Sequence, residues 1–268
     1  YEEMLEDEKI DIVYIATPHS MHYENMIKAV KAGKHVLCEK AITVNEAQLN
    51  EVMALAEEKG VVVREAMTIS HMPLYKKLKE RIREGAIGKL KMVQVNFGSN
   101  KGYDSASRFF ALEAAGGALL DIGVYAASFA RTFLSEAPNT ILTTVEFLET
   151  GADEQSGIIM KNTKGEMAVT CLTLRAKQPK RGVVSGDKGY IEVYEYPRAC
   201  RAAITNTETG EVETVEAGKT EDALKYEVEA MEGCAAGDYE DDCQEITRDV
   251  MKILTSVKTQ WGMKYPFE

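Results

Sequence analysis

The first 66 residues repeat one pattern three times, and that repetition restricts the fold more than any other feature of the chain. A short β-branched run, Asp11-Ile-Val-Tyr-Ile-Ala16, leads into Met21, Met26, Ile27 and Val30 at helical spacing and then Gly33. Lys34-His-Val-Leu-Cys38 starts a second unit, with a helix over 44–59 opened by Thr43 as candidate N-cap and closed by Gly60. Val61-Val-Val-Arg-Glu65 starts a third. Strand runs separated by helix-length segments predict a parallel sheet with helical crossovers, because a parallel connection needs about a dozen residues or more.

Beyond residue 66 the texture changes. A helix is predicted over 72–84, stopped by Gly85-Ala-Ile-Gly88, followed by a strand over 89–98 and a Gly/Ser/Asn loop that holds Tyr103 and Arg108. A helix over 117–134, several alternating stretches between 138 and 216, and helices over 221–236 and 241–261 complete the chain. The fold expected is α/β: part of a doubly wound parallel sheet over 1–66, then an α+β domain with a mainly antiparallel open sheet over 67–268.

Charge narrows the partners. Forty-three acidic residues against 32 basic ones leave a net charge of −11, which disfavours nucleic acid and anionic membrane surfaces. The most apolar helical segment, 117–134, carries Asp121 and Arg131, so no membrane span is expected. Five scattered cysteines without a Cys-x-x-Cys pair read as small buried residues of a reducing, cytoplasmic compartment. The four histidines show no metal-ligand spacing, and no metal is expected.

Open parallel sheets bind ligands at the carboxyl ends of their strands. Two such ends carry polar chemistry: Ala16-Thr-Pro-His-Ser20, followed by His22, and Glu39-Lys40-Ala41. Lys40 reads either as a functional ammonium or as a solvated surface lysine, and His22 either as a ligand contact or as a polar helix-start contact. In Gly116-Gly-Ala-Leu-Leu-Asp121-Ile-Gly-Val-Tyr125, Asp121 and Tyr125 are four residues apart and share a helix face. They are two ionisable groups on one stripe, or else an early-turn acid and a packed aromatic.

These segments, with Ala-Gly-Lys-His-Val-Leu-Cys-Glu-Lys40, Gly-Ala-Ile-Gly-Lys89, Lys188-Gly-Tyr-Ile-Glu192 and the terminal Gln-Trp-Gly-Met-Lys-Tyr-Pro-Phe-Glu268, resemble in order and spacing the Gfo/Idh/MocA oxidoreductases. Tyr at 125 resembles the branch with glucose–fructose oxidoreductase and dimeric dihydrodiol dehydrogenase. The resemblance implies a Rossmann domain for NAD or NADP and a C-terminal domain that shapes the substrate site and forms a homodimer through its sheet. It further implies hydride transfer to or from a sugar-like or polyol substrate, with Lys40 and Tyr125 as acid–base pair and Asp121 beside them. Thr17, Pro18, His22, Glu39 and Lys40 would face the cofactor. Arg108, Phe110, Tyr103 and Tyr196 read as substrate-pocket or surface-loop residues.

In that casting the Lys40 ammonium lowers the Tyr125 phenol toward a usable base, and Asp121 holds the lysine charged. Two features depart from the family pattern. Ala41 stands where the motif has proline, which leaves the backbone at Lys40 less restricted. No G-x-G-x-x-G turn is present for a pyrophosphate. Tyr1 therefore reads as an interior residue of a longer chain preceded by on the order of 60 residues, the 11–16 strand as an exposed edge, and dinucleotide binding by these residues alone as poor. The alternative of another class is a non-catalytic ligand-binding or dimerisation module without dinucleotide binding.

Overall fold

The computed structural model describes residues 1–239 and 243–268. Its first part runs α1 (Glu2–Glu6), β1 (Ile12–Ile15), α2 (His19–Lys31), β2 (His35–Glu39), α3 (Glu46–Lys59) and β3 (Val63–Ala66). The strands form a parallel sheet in the order β1-β2-β3, with Val13 beside Val36 and Val36 beside Val63. Val13, Ile15, Val36, Cys38 and Val63 are buried in the main core with Met26, Val30, Leu49 and Val52 of α2 and α3. Among the described strands β1 pairs only with β2, and Tyr14 on it is 53% exposed.

The cap of α3 differs from expectation. Asn45, not Thr43, starts the helix, its side chain accepting from the Gln48 N–H at 2.8 Å. Thr43 instead donates its hydroxyl to the Asn45 carbonyl at 2.9 Å. Asparagine at this position satisfies an orphan amide of the first turn, which the Thr43 hydroxyl, spent on a carbonyl, does not.

The rest of the chain runs α4 (Thr68–His71), α5 (Pro73–Arg83), β4 (Leu90–Gly98), α6 (Val124–Phe133), β5 (Thr140–Phe147), β6 (Asp153–Lys161), β7 (Met167–Thr173), β8 (Gln178–Gly186), β9 (Gly189–Tyr194), β10 (Arg201–Asn206), β11 (Val212–Glu216), α7 (Ala223–Ala236) and α8 (Cys243–Trp261). The expected start of the last helix at 241–242 lies outside the described residues. The eight later strands form one sheet in the order β11-β10-β9-β8-β4-β7-β6-β5, antiparallel at every step except β4 with β7.

Helix α6 packs against this sheet through Phe129, which lies so close to Gly182 of β8 that a Cβ there would stand 2.2 Å from the ring. Phe129 is fully buried and rings with Tyr75, Phe133 and Tyr196, so the contact anchors the helix that carries Tyr125. Arg131, the charge inside that apolar segment, donates to Asp249 at 2.6 Å and Glu245 at 3.0 Å, tying α6 to α8. The segment Leu112–Phe133 is long and apolar enough to cross a membrane by composition, yet it is mostly buried as a core element. Its N-terminal half is not regular α-helix: Leu119–Gly123 forms a wider turn with i→i+5 bonding before α6 begins. Such turns are rare and recur at functional sites.

Candidate functional site

The loop after β1 and the loop after β2 meet at the carboxyl end of the parallel sheet, where two histidines join them. His22 is fully buried, with Nδ1 2.9 Å from the Ala41 carbonyl and Nε2 2.8 Å from the Thr17 carbonyl. His19 spans from the Lys40 carbonyl, 3.1 Å from Nε2, to the Ala115 carbonyl, 3.3 Å from Nδ1. Burial holds both rings below the usual imidazole range, His19 at about 4, so each is neutral near pH 7 and donates from one nitrogen. His22 is therefore no ligand contact: both of its nitrogens face backbone carbonyls. The carbonyls of Lys40 and of the buried Ala41, which stands where the resembled motif has proline, each face an imidazole nitrogen.

Lys40 extends from this anchored backbone toward the wide turn before α6. Its Nζ donates to the Asp121 carbonyl at 2.7 Å and stands 3.3 Å from Asp121 Oδ1. The pair is largely buried, with side-chain exposures of 14% and 11%, so the charge is set by its partner more than by water. Burial by itself raises the Asp121 carboxyl, but the ammonium groups of Lys40 and Lys101 outweigh it and hold the group below the usual range. Lys101 Nζ lies 3.9 Å from Asp121 Oδ2 and 3.4 Å from the centre of the Phe109 ring. An ammonium has three N–H donors. Two of those on Lys40 point to Asp121; among the described residues no acceptor takes the third.

Tyr125 completes the cluster in a way that differs from expectation. The Lys40 ammonium sits 4.8 Å from the centre of the Tyr125 ring, over its face. Burial, with Glu39, Glu227 and Asp121 adding negative charge, pushes the phenol well above its ordinary value despite the opposing Arg198. The anticipated lowering by Lys40 does not prevail, and the Tyr125 phenol stays protonated throughout the neutral range.

The other sequence candidates separate. Thr17 and Pro18 form the entry to α2, with Pro18 at its N-cap. Glu39 accepts from the Tyr14 hydroxyl and, at 3.3 Å, from the Lys40 N–H. Arg108 is exposed over the Phe109 ring at 4.2 Å, in the same loop as Lys101. Tyr103 is 40% exposed and packs on Phe110. Phe110 and Tyr196, both fully buried, are core residues and line no substrate pocket. Tyr196 packs edge-on against Phe97, which in turn packs on Tyr125, so it supports the site from behind. Lys101 and His19 also reach this cluster. Lys101 sits in a Ser-Asn-Lys-Gly loop with no periodic signal, whereas His19 lies in the motif already marked.

Three buried carboxyls surround this region. Burial raises Glu65 and Asp153 to about 7 and Glu227 to about 8. Glu65 accepts from the Ile42 N–H and the Thr247 hydroxyl, both at 3.0 Å. Each of the three binds a proton more readily folded than unfolded, so its favourable contribution is complete below the unfolded value and lost as pH rises through the folded one. The depressed histidines act oppositely, but only below their ordinary value of 6.5. The melting temperature is therefore expected to fall between about pH 6.5 and 8, where the three buried acids lose their protons. A flat or rising thermal-shift series over that interval contradicts this.

A parallel sheet that presents a lysine at its strand end, faced by an Asp/Tyr turn from an open-sheet domain, defines a Rossmann-type two-part α/β protein. Residues 1–67 match the family profile described as an oxidoreductase family with an NAD-binding Rossmann fold, and residues 75–192 match the GFO/IDH/MocA C-terminal domain. The chain belongs to the Gfo/Idh/MocA family. It is 31% identical to trans-1,2-dihydrobenzene-1,2-diol dehydrogenase of Xenopus laevis over 77% of this chain, and spans 62% of that relative. It is 30% identical to D-xylose 1-dehydrogenase (NADP(+)) of Hypocrea jecorina, over 99% of this chain and 76% of that protein. Its fold matches a 3-ketoreductase from Actinomadura kijaniata in complex with NADP and TDP-benzene at a TM-score of 0.86 and 22% identity, covering 97% of this chain and 81% of that one. It also matches aldose-aldose oxidoreductase from Caulobacter crescentus, complexed with glycerol, at 0.85 and 21% identity, over 98% and 81%.

Proposed function

We propose that this chain carries the substrate-handling part of an NAD- or NADP-dependent dehydrogenase or reductase acting on a hydroxyl or carbonyl of a sugar-like or polyol compound. The observation that carries this reading is the Lys40 ammonium, anchored on Asp121 with one N–H left for a substrate oxygen and Tyr125 against it. The dihydrodiol and xylose dehydrogenases among its relatives support the same class of substrate. The nicotinamide end of a cofactor fits beside Thr17, Pro18, Glu39 and Lys40, which the two strand ends bring to one rim. These residues include no glycine-rich phosphate turn, so they hold that end only.

When bound, the nicotinamide supplies or accepts the hydride. Lys40 donates its remaining N–H to the reacting oxygen and stabilises the negative charge that develops there. Tyr125, neutral in its buried setting, gives the proton that converts a carbonyl into an alcohol. Asp121 keeps Lys40 charged and aimed, with Lys101 balancing the second carboxylate oxygen. Reduction is thus the direction these protonation states favour at neutral pH. The test is a panel of sugars, polyols and vicinal diols with both nicotinamide cofactors, followed by cofactor absorbance. Substrate-dependent oxidation or reduction is expected; none with any member rejects the reading and favours a ligand-binding module.

The protein is further proposed to dimerise through the outer face of its large sheet and to reside in the cytoplasm. Leu142 and Ile159, directly paired across β5 and β6, are 60% and 41% exposed on one face. Exposed apolar patches of this kind mark interaction surfaces. The five cysteines form no disulfide with one another, and three of them are buried, which suits a reducing compartment. Leu142→Glu combined with Ile159→Glu is expected to convert a dimer into a monomer in sedimentation velocity. A wild-type monomer, or a variant that still sediments as a dimer, overturns the interface.

A further inference from the structure

We propose that Asp153 is a positioning residue for the Lys40, Asp121 and Tyr125 cluster, its buried carboxylate fixing the turn that presents Asp121 and Tyr125 to Lys40; this rests on the catalytic reading above. Asp153 is fully buried at the first position of β6, and its Oδ2 accepts from the Leu119 N–H at 2.7 Å. Leu119 opens the wide turn Leu119–Gly123 that holds Asp121. A turn at the start of a helix leaves amides without carbonyl partners, and a carboxylate there supplies the missing acceptor.

The fit is close on the other side. Gly117 has φ +123, and a Cβ added to it would stand 2.0 Å from Asp153 Oδ1, so glycine is required where the chain crosses the carboxylate. The residues just before the turn are also contacted: the Gly116 carbonyl accepts from the Tyr265 hydroxyl at 3.2 Å, and the Ala115 carbonyl lies 3.3 Å from His19 Nδ1. Asp153 and Tyr265 therefore tie one short stretch from two separate parts of the fold, with His19 packed against its first carbonyl. It touches none of the reacting groups and acts through Asp121 and Tyr125.

Protonation alters this tie. Burial raises Asp153 to about 7, against favourable contacts from backbone N–H groups at 118, 119 and 153 and the Lys258 ammonium of α8. Tyr265 and Glu268 from the C-terminal segment also face this region, with Lys258 held by Glu268 at 2.8 Å. As pH falls below about 7 the carboxylate becomes a neutral acid, a weaker acceptor for the Leu119 N–H.

The experiment compares wild type, Asp153→Asn and Asp153→Ala by kinetics and by residue-resolved acetylation of Lys40. Asp153→Ala is expected to lower kcat on the order of tenfold, within the hundredfold that a misplacement of about 1 Å can cost, with cofactor KM unchanged. Acetylation of Lys40 relative to the surface lysines should rise several-fold, because the ammonium loses its fixed partner. Asp153→Asn, which keeps one acceptor oxygen and no titration, should retain the fold and lose the activity step near pH 7. A lowered melting temperature with unchanged kcat and unchanged Lys40 labelling in the folded variants overturns the proposal as a purely structural role. Altered labelling in a protein whose wild type turns over no substrate instead rejects the catalytic reading and leaves the positioning role standing.

Discussion

Replacing Lys40 with methionine is expected to lower kcat by at least about a hundredfold, the lower range for losing a group placed to stabilise charge at a reacting oxygen. Methionine matches the aliphatic stem of lysine, so the packing against the Tyr125 ring survives while the ammonium is lost. The variant also strips Asp121 of its nearest cation and leaves it Lys101 at 3.9 Å. Breaking one half of a buried pair costs up to about 3–5 kcal/mol, an upper figure for this partly exposed one. A second variant, Lys40→Met with Asp121→Asn, removes the stranded charge and should regain part of the stability without regaining turnover. Turnover near wild type in the folded single variant would falsify the role of Lys40.

Tyr125→Phe is expected to cost a comparable factor, at least about a hundredfold in kcat for carbonyl reduction, with KM for the cofactor little changed. The ring remains, and with it the contacts to Phe97 and to the Lys40 ammonium. Only the proton donor is lost. Because burial raises the phenol, its protonated form persists above the ordinary tyrosine value, so reduction should show no alkaline decline belonging to this residue in the neutral range. Oxidation of the alcohol needs the deprotonated form and should climb with pH over the same interval. A reduction rate that falls on an alkaline limb below the usual tyrosine range would return the phenol to the role of a readily ionised base. A variant that reduces substrate at the wild-type rate would remove Tyr125 from the mechanism.

The parts legible in the sequence were those governed by local rules. Three β-branched runs separated by helix-length segments specified a parallel sheet, and Gly60 ended α3 with φ 66 as a left-handed stop must. Lys40 and the Asp121/Tyr125 pair stood out as polar residues at a strand end and on one helix face. What the sequence does not show is what burial decides. Phe110 and Tyr196 look the same on paper as aromatics lining a pocket, but their exposure depends on the sheet and helix that cover them. His22 carries a functional-looking ring whose nitrogens both face backbone carbonyls, at 17 and 41, residues that only the chain's path brings together.

The direction of the Tyr125 shift has the same origin. An ammonium near a phenol lowers its pKa when it faces the oxygen; here Lys40 lies over the ring, and burial and three carboxylates prevail. The sequence by itself determined the architecture and singled out Lys40, Asp121 and Tyr125, which the structure brings together, because hydrophobic period, turn residues and strand-end position are properties of short stretches. The tertiary structure alone decided which atoms Lys40 binds, which aromatics are core, and that Asp153, 32 residues from Asp121 along the chain, holds its turn. Hydrogen-bond geometry and desolvation act over a few ångströms in space, and separation along the chain does not report that distance.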